Sequence, residues 1–172
     1  MKRMLSVAAL LLLLALLLAS CGLRVPRPKV KEGEFDFSIT YELNGEIKTL
    51  SGVYVCEYDG TSWSLDGGYS RDWKSSVKGV DAGNQYEVQI GTTDDGGSIV
   101  LSYGFYPEYF MGDRQTVDLG IPEPTLVITH AMENVDGMNI IGEQEELAEH
   151  YSVKIIDYEY AKPIENTFGL LK

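Results

Sequence analysis

From residue 33 to residue 172 the sequence predicts an all-β fold, an antiparallel β-sandwich with one short helix near the carboxyl end. Three observations carry this. Residues 35–43 alternate apolar and polar without a break. Turn signals such as Asn44-Gly45, Asp59-Gly60 and Asp66-Gly67-Gly68 punctuate the chain. Between them lie roughly eight short runs rich in Tyr, Val, Ile and Thr, spaced as paired strands are.

The elements follow in order. In "EFDFSITYEL" the side chains of Phe35, Phe37, Ile39, Tyr41 and Leu43 share one face, as in a half-buried strand. Asn44-Gly45 suits the positive φ angles of a two-residue hairpin. "EIKTLSGVYVCEY" is therefore expected to return antiparallel, with Gly52 marking a bulge and Asp59-Gly60 making the next turn. "TSWSL" reads as a short strand, and "YSRDWKSSV" fits either a strand or a loop. "QYEVQI" alternates Tyr86, Val88 and Ile90, and the turn "TTDDGG" leads into "SIVLSYGF", with Ile99, Leu101, Tyr103 and Phe105 on one side. "YGFYPEYFMGD" is expected to be a strand leaving the core into a turn at Pro107; an exposed aromatic patch of Tyr106, Tyr109 and Phe110 is the competing reading. "TLVIT" is a compact apolar strand. "GEQEELAEH" has acids in its first turn and His150 near its close, the polarity a helix dipole favours. "SVKIIDYEY" is the last strand, stopped by Pro163. These spacings suit a sandwich, of which an immunoglobulin-like arrangement is one form. A chain of about 140 residues is long enough to bury a core of its own as a single domain.

Charge is distributed unevenly. Of 14 cations, Lys2, Arg3, Arg24, Arg27, Lys29 and Lys31 lie at or before residue 31, whereas all 26 acids lie after it. The remaining eight cations leave the domain at about −18. Such a surface repels polyphosphate, so no nucleic-acid partner is expected.

The amino terminus has its own logic. Lys2 and Arg3 precede an uncharged run from Leu5 to Ser20, the layout of a secretory signal. As a helix the run would reach roughly 24 Å at about 1.5 Å per residue, short of a hydrocarbon core about 30 Å thick. It ends in Leu18-Ala19-Ser20-Cys21, followed by Gly22. These four residues resemble the lipobox of bacterial lipoproteins. The resemblance covers only the first 22 residues. It implies that the Cys21 thiol receives diacylglycerol, a covalent fatty acyl group and the only cofactor expected, and that a peptidase cuts between Ser20 and Cys21 to remove residues 1–20. An uncleaved signal anchor and a freely secreted product are the alternatives, and the shortness of the run argues against the first. Two acyl chains suffice to hold a protein on a bilayer.

Residues 21–32 then read as a tether. "GLRVPRPKVK" has four cations, no acid, and Pro26 and Pro28 to keep it extended. As a spacer it would reach some 30 Å at about 3.1 Å per residue. Its cations either add on the order of 1 kcal/mol each beside anionic headgroups or are incidental. With Cys21 acylated, Cys56 has no intramolecular disulfide partner, and within the apolar "GVYVCEY" it is expected to be a small buried hydrophobe. The mature part is also similar to small uncharacterised lipoproteins of Gram-positive bacteria in "TYELNG", "YVCEYDG" and "PIENTF", a similarity that implies no activity. It favours a Gram-positive cell surface over a Gram-negative envelope.

Candidate functional residues are few. Trp63, Tyr69 and Trp73 stand among Gly, Ser and the charged Asp66, Arg71 and Asp72 in "GTSWSLDGGYSRDW". Flat aromatic faces bordered by polar groups suit a sugar or peptide platform; the alternative is that the tryptophans fill the core. His130-Ala-Met-Glu133 and His150 fall short of the three or four ligands zinc wants, so no metal site is expected. Asp94 and Asp95 lack the calcium-loop pattern and fit a hairpin turn. Acids are abundant, but no pair stands out as a glycosidase pair, and no G-x-S-x-G, P-loop or dinucleotide fingerprint occurs. The sequence thus favours a membrane-anchored, extracytoplasmic binding or envelope-associated module contacting a glycan, a peptide or another envelope protein. One competing reading is a carboxylate-based hydrolase of envelope polymers, which needs two convergent acids, one with a raised pKa. The other is a purely structural or assembly lipoprotein.

Overall fold

The computed structural model describes residues 25–65, 68–80, 86–113, 122–129, 139–140 and 144–169. The signal run, Ser20, Cys21, Asp66, His130 and Glu133 lie outside the described residues. Along the chain come β1 (Arg27–Pro28), β2 (Glu32–Leu43), β3 (Glu46–Ser64), β4 (Gly68–Lys78), β5 (Glu87–Thr92), β6 (Ser98–Ser102), α1 (Pro107–Phe110), β7 (Thr125–Thr129), β8 (Asn139–Ile140), α2 (Gln144–Tyr151), β9 (Val153–Tyr160) and β10 (Phe168–Gly169). Every ladder is antiparallel. One sheet has the order β4-β3-β2-β9, a second β5-β6-β7-β8, and β1 pairs with β10. Among the described residues no helix is long and apolar enough to cross a membrane.

The β2–β3 hairpin forms as its sequence dictates. Asn44 (φ 53°) and Gly45 (φ 79°) both take the left-handed conformation of a two-residue turn. Phe35, Phe37, Ile39, Tyr41 and Leu43 are all buried on one face. Gly52 makes no bulge, because the β2–β3 ladder runs from Glu32↔Glu57 to Leu43↔Glu46 without a shift. It answers a close approach instead: a Cβ there would stand 2.8 Å from the Lys78 carbonyl oxygen and 2.9 Å from Val80 Cγ2. Asp59-Gly60 is not a turn either. The ladder to β4 shifts between Tyr58 and Gly60, where Gly60 has φ 115°, and β3 continues to Ser64. The extra residue of a bulge is accommodated by glycine while pairing carries on. "EIKTLSGVYVCEY" and "TSWSL" are therefore one strand, and "YSRDWKSSV" lies in its partner.

In the second sheet "TTDDGG" closes the β5–β6 hairpin. The Thr93 N–H donates to the Gly97 carbonyl at 3.1 Å, the Gly97 N–H donates to Asp95 Oδ1 at 3.3 Å, and the Thr93 hydroxyl bonds Asp95. The two sheets share one core, in which Phe37 packs on Tyr103 and Phe105 at 5.3 and 5.0 Å, and Tyr54 stacks on Phe105 at 4.1 Å. Tyr103 and Phe105 thus point inward as expected. The turn predicted at Pro107 is a second helix, α1, with Pro at a first-turn position where its missing N–H costs nothing. It carries Phe110 and Met111 fully into the core, so of the three aromatics in the competing patch only Tyr106 is exposed. The helix expected at 142–150 is α2, with Glu145 and Glu146 at its start, His150 at its end and Leu147 buried.

The strand order corrects the immunoglobulin-like option. Within each sheet, strands that follow one another along the chain lie side by side, and only β9 returns to the first sheet; an immunoglobulin domain instead crosses between its sheets repeatedly, as ABED and CFG. The tether is corrected as well. Arg27 and Pro28 pair with Gly169 and Phe168, the Lys29 N–H donates to the Thr167 carbonyl at 2.9 Å, and Asn166 brackets Val30 with bonds of 3.1 and 2.8 Å. Residues 27–31 are stitched to the body, because the backbone groups of β1 find partners in the returning end of the chain.

Candidate functional site

The longest hairpin outruns its sheet. β2 leaves β3 at Glu57, so from Tyr58 to Ser64 β3 pairs with β4 and projects as an arm. Directly opposed residues of an antiparallel pair share a face. Along one face of this arm the pairs are Cys56/Ser75, Tyr58/Trp73, Thr61/Arg71 and Trp63/Tyr69. Cys56 is fully buried, whereas Trp63 and Tyr69 are 57% and 43% exposed, and Leu65 beyond them is 87% exposed. The core-facing surface of the first sheet thus runs past the edge of the sandwich and emerges into solvent. On the other face, the Ser62 hydroxyl donates to Asp72 Oδ1 at 2.7 Å and lies 3.1 Å from the Ser70 hydroxyl.

Between the buried and the exposed halves of that face sits an ion pair. Arg71 and Asp113 are 7% and 4% exposed. Arg71 Nε donates to Asp113 Oδ2 at 2.6 Å and Nη2 to Oδ1 at 2.5 Å, a bidentate fork. The third guanidinium nitrogen donates to the Pro26 carbonyl at 3.0 Å, and the group lies 4.0 Å over the Phe168 ring. Trp73 Nε1 donates to Asp113 Oδ2 at 3.0 Å. One buried cluster therefore joins the start of the described chain, its end, the hairpin arm and the segment after α1. The cluster acts as a clip.

The structure sorts the three aromatic candidates. Trp63 and Tyr69 face each other across the hairpin and are open to solvent. Trp73 shares their face but is partly buried, hydrogen-bonded to Asp113 and edge-on to Tyr58 at 5.5 Å. Its indole N–H is committed to the buried ion pair. Asp72 lies on the opposite face with Ser62. Sequence reasoning missed Asp113, Pro26 and Phe168 altogether. The only local signal was Arg71 in the same alternating register as Tyr69 and Trp73, an inward position where a cation needs a partner.

At the opposite end of β3, an open groove of about 410 Å³ is lined by Glu42, Asn44, Gly45, Ala148, Ser152, Val153 and Lys154. The Lys154 ammonium sits 3.0 Å from the Glu42 carboxylate, and the Asn44 N–H donates to the Ser152 carbonyl at 2.9 Å. Burial pushes the Cys56 thiol up to about 12, with a smaller push from the Glu108 charge. The thiol stays protonated and inert at neutral pH, as the buried reading of Cys56 requires. Burial likewise raises the hydroxyls of Tyr54, Tyr103 and Tyr160. Among the described residues no group of three or more His, Cys, Asp or Glu could hold a metal ion. The chain matches no family model, no curated protein and no solved structure.

Proposed function

We propose that this chain is a lipoprotein, held through acylated Cys21 on the extracytoplasmic face of a bacterial membrane, where its acidic β-sandwich acts as a binding or envelope-associated module. The observation that carries this reading is Leu18-Ala19-Ser20-Cys21 at the end of an uncharged run too short to span a bilayer. The similarity of the mature sequence to small Gram-positive lipoproteins favours the surface of such a cell. A rigid β body whose first strand is stitched to its last suits a module presented from an amino-terminal anchor. The surface it offers for contact is the exposed pair Trp63 and Tyr69, since paired flat rings give large contact area at little entropic cost.

Replacing Cys21 by Ser tests the anchor. The native protein is expected in the detergent phase of a two-phase extraction and the Cys21→Ser variant in the aqueous phase. The native amino terminus should be a Cys21 heavier by a diacylglyceryl group. Unchanged partitioning, or an intact mass beginning at Met1, refutes the reading.

A further inference from the structure

We infer that the tip of the β3–β4 hairpin, bearing Trp63, Leu65 and Tyr69, is a second membrane contact lying in the headgroup region of the bilayer that holds Cys21. The inference rests on the lipoprotein reading above and on the direction of one short segment. The Lys31 carbonyl accepts from the Tyr58 N–H at 2.7 Å. The Pro26 carbonyl accepts from Arg71, the partner of Thr61, which is three residues nearer the tip. Traced backwards from Lys31 to Pro26, the chain therefore climbs the hairpin towards its end.

The lengths agree. Cys21 stands five residues before Pro26, so it can reach at most about 18 Å beyond it in a fully extended chain. From Arg71 to Gly68, the last described residue of β4 towards the tip, strand rise gives about 10 Å. A bilayer that takes up acyl chains on Cys21 is thus within reach of the tip. The chemistry fits the same place. Trp and Tyr favour the membrane–water interface, where the ring is buried and its N–H or O–H stays wet, and Leu65 adds an aliphatic group beside them. Arg27 and Lys29 lie in the segment that climbs the hairpin, Arg24 precedes them in the sequence, and such cations suit anionic headgroups. The Arg71–Asp113 clip fixes the base of the arm, and the Asn44 groove is carried at the far end of β3, away from the membrane.

The test uses the acylated protein in phosphatidylcholine–phosphatidylglycerol vesicles with or without brominated acyl chains. The chain has two tryptophans, so the Trp63 signal is the difference between wild type and Trp63→Phe, and Trp73→Phe reports Trp63 directly. Bromolipid is expected to quench Trp63 roughly two-fold and to shift its emission to the blue, as for an interfacial indole, and to leave Trp73 unchanged. Protein that floats with the vesicles while Trp63 is unquenched overturns the tip contact and leaves the anchor standing. Protein that does not float refutes the anchor and the tip contact with it. Emission that responds to wall glycan fragments but not to bromolipid assigns the tip to a sugar and overturns the inference.

Discussion

Arg71→Ala removes the cation of the buried clip and leaves an Asp113 carboxylate whose side chain is 2% exposed. That carboxylate keeps the Trp73 indole N–H, but loses both arms of the fork, and the Pro26 carbonyl loses its donor. Truncating one member of a buried pair typically costs about 3–5 kcal/mol, because the stranded charge has already been taken out of water. A value of about 4 kcal/mol is a large part of the 5–15 kcal/mol that holds a domain together. Replacing both members by apolar residues of similar size removes the stranded charge, so Arg71→Met with Asp113→Leu is expected to be close to neutral or stabilising. The assay is urea unfolding of the chain from residue 22 onward, followed by tryptophan emission. With a slope of about 2 kcal/mol per molar urea, Arg71→Ala should lower the midpoint by about 2 M, and the double substitution should restore most of it. Single losses below about 1 kcal/mol, or a double-variant loss equal to the sum of the two singles, would refute the coupling.

Two further outcomes follow from burial and close packing. The Cys56 thiol, raised by burial from 9.0 to about 12, should resist disulfide reagents at pH 8 in the folded protein and react once unfolded. Above pH 9 the unfolded chain loses this proton before the folded one does, so the thiol alone should lower stability by about 1.4 kcal/mol per pH unit up to about pH 12, and the raised hydroxyls of Tyr54, Tyr103 and Tyr160 should steepen the fall at the upper end of that window. A flat profile over that window in wild type, or equal thiol reactivity in both states, would count against it. Gly97→Ala places a Cβ 1.9 Å from the Thr129 carbonyl oxygen, so β6 and β7 must part at that point. The cost should be about 3 kcal/mol, near the top of the range for overpacking. In a domain of this size that is a Tm lower by about 10 °C; a change under about 2 °C in calorimetry would show that the turn yields freely.

What the sequence revealed is what is local. Alternation in residues 35–43 fixes one buried face, Asn44-Gly45 fixes a hairpin, and the acids and His150 around 144–151 fix a helix, because each signal lies within a few residues of the element it forms. Asp59-Gly60 misled for the opposite reason. As a dipeptide it favours a turn, but pairing of β3 with β4 on both sides of it continues the strand, and a bulge at Gly60 absorbs the mismatch. Distance along the chain hid the rest. Arg71 and Asp113 are 42 residues apart, and Val30 and Asn166 are 136 apart, so neither the clip nor the stitched first strand has a local signature. Trp63 and Trp73 stand in the same alternation on opposite strands. Only their distance from the edge of the sandwich decides that one is open and the other holds Asp113.

The charge of the domain bears on the membrane contact in a way that magnitudes settle. A body near −18 would be driven off an anionic leaflet if all its acids felt the surface. Salt screens beyond about 8 Å at physiological strength, and β3 alone runs some 60 Å from end to end at about 3.3 Å per residue. Most acids of the sandwich therefore lie several screening lengths from a bilayer at the hairpin tip. Among the described residues, Asp59 and Asp72 lie in the arm. Asp59 is held 2.6 Å from the Lys74 ammonium, and Asp72 accepts from Ser62. Against them stand Arg27 and Lys29, each adding on the order of 1 kcal/mol when close to anionic headgroups. On the proposed reading, in which Cys21 carries acyl chains, the hairpin end would be the least repelled part of an acidic molecule, and the exposed Trp63 and Leu65 would set which way the body stands.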